Sequence, residues 1–141
     1  MNKVFSRLAL ALLAVSILVP AASADVLISE LCDPRNDYLT DRYIEIYNSG
    51  PDAVNLIGWK IIAVGNGGEI FTWNLSGSIV VGGVLVAGNA TTADVFPVDF
   101  ADNAWSSSYS TWNGKVGDGA RLKNASNLTI DEVIATGTEF E

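Results

Sequence analysis

An acidic loop near the N-terminus is the first place where side chains of suitable type and spacing could do chemistry. It carries Asp33, Asp37 and Asp41, three carboxylates at intervals of four residues, with Asn36 between the first two. Hard oxygen ligands of this kind suit Ca²⁺, although the loop lacks the spacing and the glycine of an EF-hand. The alternative is a solvated polar loop that holds no ion. A weak calcium site is therefore one hypothesis, and no other cofactor is predicted.

An aromatic stretch between Asp102 and Asn113 is the second candidate. Trp105, Tyr109 and Trp112 stand there among serines. Rings spaced along a loop by small polar residues are used for stacking on carbohydrate and for contacts with proteins. Two interpretations are open. The rings form a binding surface, or one or two of them cap the open end of the fold.

The chain contains no histidine, and this excludes several classes of active site. Ser-His-Asp and Cys-His arrangements cannot be assembled, and the usual zinc sites lack their ligand. Paired carboxylates could serve a glycosidase, but Asp131 and Glu132 are neighbours on a predicted strand and point to opposite faces. Asp99 and Asp102 lie in a loop with no cleft implied. No catalytic residues are predicted, and the protein is not expected to be an enzyme.

The elements that position these residues are strands. Short β-branched and aromatic runs alternate with Gly, Asn, Asp and Ser clusters, which predicts seven to nine short strands and an immunoglobulin-like β-sandwich. In Tyr43–Tyr47 the alternation places Ile44 and Ile46 inward and Glu45 outward. Glu30 is also expected to face outward, and both glutamates are expected to bond turn amides or to pair with Arg42 or Lys60.

Two further side chains have predicted structural roles. Asn48 closes a strand, where its side chain would satisfy backbone groups of a turn. Trp59, directly after Gly58, is expected in the core, because one such ring removes a large apolar area from water. Cys32 is the only cysteine, so no disulfide can form within the chain, and it is expected to be a small buried residue or an unpaired thiol.

Residues 1–24 have the pattern of a cleavable signal peptide, with a helical apolar segment. Lys3 and Arg7 precede an apolar run of twelve residues, Pro20 ends it, and Ala22 and Ala24 flank Ser23 at the predicted cleavage site. The run is too short for a membrane-spanning helix. The remainder carries sixteen acids against six bases, a net charge of −10. Such a charge repels nucleic-acid backbones, so this domain is not expected to bind them.

Five segments in order resemble the lamin tail domain. The first segment ends in Glu30, and the second carries the Tyr-Ile-Glu-Ile-Tyr-Asn strand. The third contains a Leu-Ile-Gly-Trp corner, and the fourth has a Gly-Gly before a strand. The last contains Asp-Gly-Ala-Arg-Leu followed by Ile-Asp-Glu-Val-Ile. In this sequence they are Val26–Glu30, Arg42–Gly50, Val54–Trp59, Gly82–Val86 and Asn113–Ile134. The Ser- and Trp-rich stretch between Asp102 and Asn113 is an insertion relative to that pattern.

The resemblance implies an immunoglobulin-like sandwich over residues 25–137, followed by a tail at 138–141, with no catalytic activity of its own. Similar domains occur in exported bacterial proteins, often ahead of an extracellular nuclease or phosphatase domain. Two hypotheses follow. The chain is a secreted accessory module that contacts a protein or a cell-surface polysaccharide, or it is the N-terminal part of an extracellular nuclease whose catalytic domain lies beyond Glu141.

Overall fold

The computed structural model of the chain describes residues 25–33, 41–91, 97–105, 112–113 and 116–137. The predicted signal peptide with its helix, the predicted tail, Asp37 and Tyr109 lie outside these residues. Within the described part, no helix is both long and apolar enough to cross a membrane.

The described residues form ten β-strands. Seven of these have five to seven residues and three have two residues, and the prediction of an all-β fold is confirmed. The strands are β1 (Val26–Cys32), β2 (Tyr43–Asn48), β3 (Val54–Asn55), β4 (Lys60–Gly65), β5 (Gly68–Asn74), β6 (Ser78–Ile79), β7 (Val84–Gly88), β8 (Phe100–Ala101), β9 (Gly119–Lys123) and β10 (Thr129–Ile134).

The strands make two four-stranded sheets and one small ribbon. The first sheet has the order β1-β2-β7-β8, and the second has the order β10-β9-β4-β5. All neighbouring pairs are antiparallel except β7 and β8. β3 and β6 pair separately as a two-stranded ribbon. The two larger sheets enclose one apolar core, which is the immunoglobulin-like sandwich predicted from the sequence.

The alternation of side chains along the strands builds that core. Ile44 and Ile46 of β2 are fully buried, whereas Glu45 between them lies on the other face and is partly exposed. In β9, Ala120 and Leu122 are buried in the same way. The inward positions of β2 are therefore those the sequence predicts, because buried side chains recur at every second residue in a strand that is buried on one face.

The large rings of the core differ from expectation. Trp73, Trp105 and Trp112 are buried, while Trp59, the predicted core aromatic, is only partly buried at the margin of the cluster. The buried rings contact one another edge to face. The ring centroids are 4.8 Å apart for Trp73 and Trp105 and 5.5 Å apart for Trp105 and Trp112. This geometry suits the quadrupole of aromatic rings, so the three indoles form a continuous aromatic row inside the sandwich.

A polar side chain satisfies backbone groups at the end of β2. Asn48 is fully buried; its Nδ2 donates to the carbonyl oxygens of Asp52 (2.8 Å) and Ile79 (3.2 Å), and its Oδ1 accepts from the N–H of Gly50 (3.0 Å). The predicted role of Asn48 in a turn is thus confirmed.

β4 and β5 join through Asn66 and Gly67, whose φ angles are both positive (50° and 81°), as a tight hairpin with the favoured twist requires.

Candidate interaction face on the first sheet

A β-bulge in β1 decides which way Glu30 points. Val26 and Ile28 face the core, so strict alternation would direct Glu30 inward as well. Instead the register shifts between Ile28, which pairs with Ile46, and Glu30, which pairs with Glu45. Ser29 is the additional residue. Glu30 therefore lies on the outside beside Glu45, and a bulge is a common way to redirect a side chain near a functional site.

Three rows of side chains cross the outside of β1, β2 and β7. The register places Leu27, Tyr47 and Val84 in the first row, which we call the apolar row. Glu30, Glu45 and Val86 form the second row, and the two glutamates are called the acidic pair. Together with the third row of Cys32, Tyr43 and Gly88 they make up what we call the outer face. Val84 is 47 % exposed, and the other members of the apolar row are partly exposed.

Two hydroxyl groups orient the acidic pair. Ser29 Oγ donates to Glu45 Oε1 at 2.6 Å, and Tyr43 Oη donates to Glu30 Oε1 at 2.9 Å. Burial of the phenol, followed by its bond to Glu30, raises the pKa of Tyr43 well above its usual value. The phenol therefore keeps its proton at neutral pH and holds the Glu30 carboxylate in a fixed direction.

The partners expected for these glutamates from the sequence are not the ones the structure gives. Arg42 is buried and pairs with Asp33, and Lys60 Nζ lies 3.4 Å from Asn127 Oδ1. Among the described residues, the ion pairs do not include Glu30 or Glu45. The reason is geometric, because Arg42 immediately precedes β2 and points into the molecule whereas the acidic pair points out.

The outside of the second sheet is arranged differently. Arg121 of β9 donates to Glu69 of β5 and to Glu132 of β10, both at 2.9 Å, and Lys123 Nζ donates to Glu69 at 2.6 Å. These bonds, with that to Lys123 first, lower the pKa of Glu69. The second sheet thus matches its outward acids with bases across strands. On the outer face, no position of the three rows is lysine or arginine.

Cys32 lies in the third row and is a free thiol. Burial, followed by the negative charges of Glu30 and Asp41, raises the pKa of its thiol. The thiolate is the nucleophilic form of cysteine, so this surrounding suppresses nucleophilic chemistry at Cys32.

The residues of the calcium hypothesis occupy a different place. Asp33 Oδ1 accepts from Arg42 Nε at 2.6 Å, and Arg42 Nη2 donates to the carbonyl oxygen of Trp112 at 2.5 Å. The guanidinium also lies 5.5 Å from the centroid of the Trp112 ring. Asp33 is thus the counterion of a buried arginine, a role with no signature in the sequence. Asp41 is partly buried, Asp37 is not described, and no three potential metal-ligating side chains come together in the described residues. The calcium site stays a prediction.

The described rings of the predicted aromatic binding surface do not lie on the surface. Trp105 and Trp112 are each only 1 % exposed, so neither ring offers a face to a ligand. Trp112 Nε1 donates to the carbonyl oxygens of Val64 (3.0 Å) and Gly119 (3.1 Å), which fixes the ring in the core. The physical reason is their size, because burying an indole removes more apolar area from water than any other side chain provides. Tyr109 lies outside the described residues.

Comparison with protein families supports the fold assignment. The family model of the lamin tail domain matches residues 19–137, which is most of the chain. No curated protein matches the sequence. The matched range includes both sheets and every strand that forms the outer face. The chain belongs to the lamin tail domain family.

Proposed function

We propose that the chain is a secreted, non-catalytic interaction module that holds a protein or a cell-surface polysaccharide against the outer face. The observation that carries the proposal is the outer face itself. There a bulge redirects Glu30, two hydroxyl groups orient the acidic pair, and tyrosine, leucine and valine side chains surround it. Aromatic side chains are enriched at protein contacts, and they also stack on sugars.

Export is the second part of the proposal. It is supported by the order of basic, apolar and small residues in the first 24 positions. The test is expression of the full gene product in a bacterial host, with mass spectrometry of the culture fluid. We expect a secreted form beginning at Asp25. Protein that stays in the cells with Met1 intact would refute this part.

Binding is tested by nuclear magnetic resonance on the isotope-labelled protein. We expect that a partner shifts backbone signals of Tyr43, Tyr47 and Val84 on the outer face while those of Arg121 and Lys123 on the second sheet stay in place. Soluble polysaccharides and candidate partner proteins are titrated separately. Shifts confined to the second sheet would contradict the placement of the site.

A second candidate is that the domain is the N-terminal part of an extracellular nuclease. It is favoured by the Asn-Gly-x-x-x-Asp pattern from Asn113 to Asp118, which resembles the ending of nuclease-linked members of the family. Asp118 accepts backbone bonds from Asn66 and Asn113, both at 2.8 Å, and so joins the β4–β5 turn to this ending. The reading frame beyond Glu141 tests this candidate, since a downstream domain with clustered metal-ligating Asp, His and Asn residues is required.

A further inference from the structure

We propose that the outer face binds a cationic protein segment, with an arginine or lysine side chain between the carboxylates of the acidic pair and an apolar side chain on the apolar row. This inference rests on the proposed function and names the chemistry of its partner. It commits to a protein partner, and a polysaccharide is an alternative outcome of the experiment.

Negative charge is concentrated at the acidic pair. Glu30 and Glu45 are directly opposite each other in the β1–β2 ladder, a position in which like charges are destabilising. The same chain matches Glu132 with Arg121 in register on the second sheet. Among the residues that the structure describes, no base forms an ion pair with the acidic pair, and a cation from outside would neutralise its charge excess. A planar guanidinium with several donors is suited to two carboxylates held side by side.

The apolar row offers a second contact beside the acidic pair. Leu27, Tyr47 and Val84 are neighbours across three strands and are only partly covered. Tyr47 and Glu45 are two residues apart on β2, so the apolar row lies about 7 Å from the acidic pair. An extended segment whose apolar and cationic residues are two positions apart has the same spacing. The outer face thus fits a segment of alternating character better than a single isolated charge.

Two other macromolecular occupants do not match the charge of the outer face. In a two-fold dimer through the outer face, a second copy of this chain would bring another acidic pair to the same place, and like charges across an interface are repelled. Nucleic acid is excluded for the same reason, because its phosphates also require cationic partners. A basic protein segment complements both the charge of the acidic pair and the apolar row.

The experiment titrates the labelled protein with two short peptides. Both alternate threonine with valine, and the central residue is arginine in one peptide and its neutral analogue citrulline in the other. We expect the arginine peptide to shift signals of the outer face and to bind about tenfold more tightly than the citrulline peptide, since bonds between charged groups are worth at least that factor. Added salt weakens this difference.

Two double variants with the same change in charge provide the control. The variant Glu30→Gln with Glu45→Gln is expected to lose about tenfold in affinity for the arginine peptide. The variant Glu69→Gln with Glu132→Gln, on the second sheet, is expected to keep it. Equal loss in both variants would mean nonspecific attraction by net charge and would overturn the inference. Both variants are checked for an unchanged fold by their spectra.

The outcomes separate this inference from the proposed function. If the arginine peptide fails to bind the outer face but a polysaccharide shifts its signals, the inference is overturned and the interaction module stands. If neither peptide, polysaccharide nor candidate protein affects any surface, both fail. Equal affinity for the arginine and citrulline peptides also overturns the inference, because the apolar row would then act without the acidic pair.

Discussion

Arg42 is the residue with the largest expected effect on stability. Its side chain is 1 % exposed, and its guanidinium joins the start of β2 to Asp33 after β1 and to the backbone carbonyl of Trp112. A buried charge is stable only when it is paired and fully bonded. The side chain therefore connects the start of β2 to two other parts of the chain, and its removal takes this donor from the Asp33 carboxylate and the Trp112 carbonyl.

We predict that Arg42→Ala lowers the free energy of unfolding by about 3–5 kcal/mol, the range found when one member of a buried ion pair is removed. Chemical denaturation of the purified protein measures it. Arg121→Ala is the matched control, because its ion pairs are more exposed and are worth about 0–1 kcal/mol. Similar losses in the two variants would contradict the assigned role of Arg42.

A change in the acidic pair is expected to raise the free energy of unfolding, whereas Arg42→Ala lowers it. Glu45→Gln should raise the free energy of unfolding by about 0.2–1 kcal/mol, since it removes a like charge directly opposite Glu30. Glu132→Gln should lower it slightly, because Glu132 accepts from Arg121. Denaturation midpoints at neutral pH and low salt give both values. A loss of stability in Glu45→Gln would show that the bond from Ser29 to the Glu45 carboxylate outweighs the repulsion between Glu30 and Glu45.

Tyr43 makes the stability depend on pH in the alkaline range. Its pKa is higher in the folded state than the value of about 10 in an unfolded chain. Its contribution is therefore fully present below about pH 10 and is lost as the pH rises further, because the unfolded state then releases the proton first. We predict that Tyr43→Phe shows a shallower decline of stability between about pH 9 and pH 11. An unchanged slope would contradict the raised pKa.

At the scale of elements, the sequence predicts some strands better than others. The alternation of Ile44, Glu45 and Ile46 specifies β2 because one of its faces is buried and the other is not. The bulge at Ser29 breaks the same rule in β1, and no residue type in that segment marks it. Glu30 faces outward as expected from the sequence, although strict alternation along β1 predicts that it faces inward.

The loop residues were less predictable than the strands. Trp105 and Trp112 are consistent with a surface or a core from their spacing alone, since loops have no periodicity that separates the two. Their burial is decided by tertiary contacts, such as the bonds of Trp112 Nε1 to β4 and β9. The pairing of Asp33 with Arg42 likewise depends on where the chain returns after the acidic loop.

A carboxylate of the second sheet bonds to the edge strand of the first sheet. Asp131 Oδ2 of β10 accepts from the N–H of Ile28 in β1 at 2.8 Å, and so occupies a backbone donor on an edge strand. We predict that Asp131→Ala speeds hydrogen exchange at the Ile28 amide and costs about 1–3 kcal/mol, as expected for a bond to a charged group. Glu132→Ala, on the outward side of the same strand, should leave that amide unchanged.

At the scale of the whole molecule, charge imbalance acts on every residue at once. After residue 24 the chain has sixteen acids and six bases. Such an excess destabilises a compact state through self-repulsion. Raising the ionic strength from about 0.01 M to 0.15 M shortens the Debye length from about 30 Å to about 8 Å, which is less than the radius of such a domain. Added salt should therefore raise the melting temperature at neutral pH.

The two double glutamine variants show how much the local charge arrangement of each sheet contributes to the rise of melting temperature with salt. Each removes two negative charges, so the long-range repulsion falls by a similar amount in both. Glu30→Gln with Glu45→Gln also removes a local repulsion that salt screens, so its melting temperature should rise less with salt than that of the unmodified chain. Glu69→Gln with Glu132→Gln removes local attractions to Arg121 and Lys123 that salt weakens, so its increase should be the larger of the two. Equal increases would show that net charge alone governs the response and that the two faces are electrostatically equivalent.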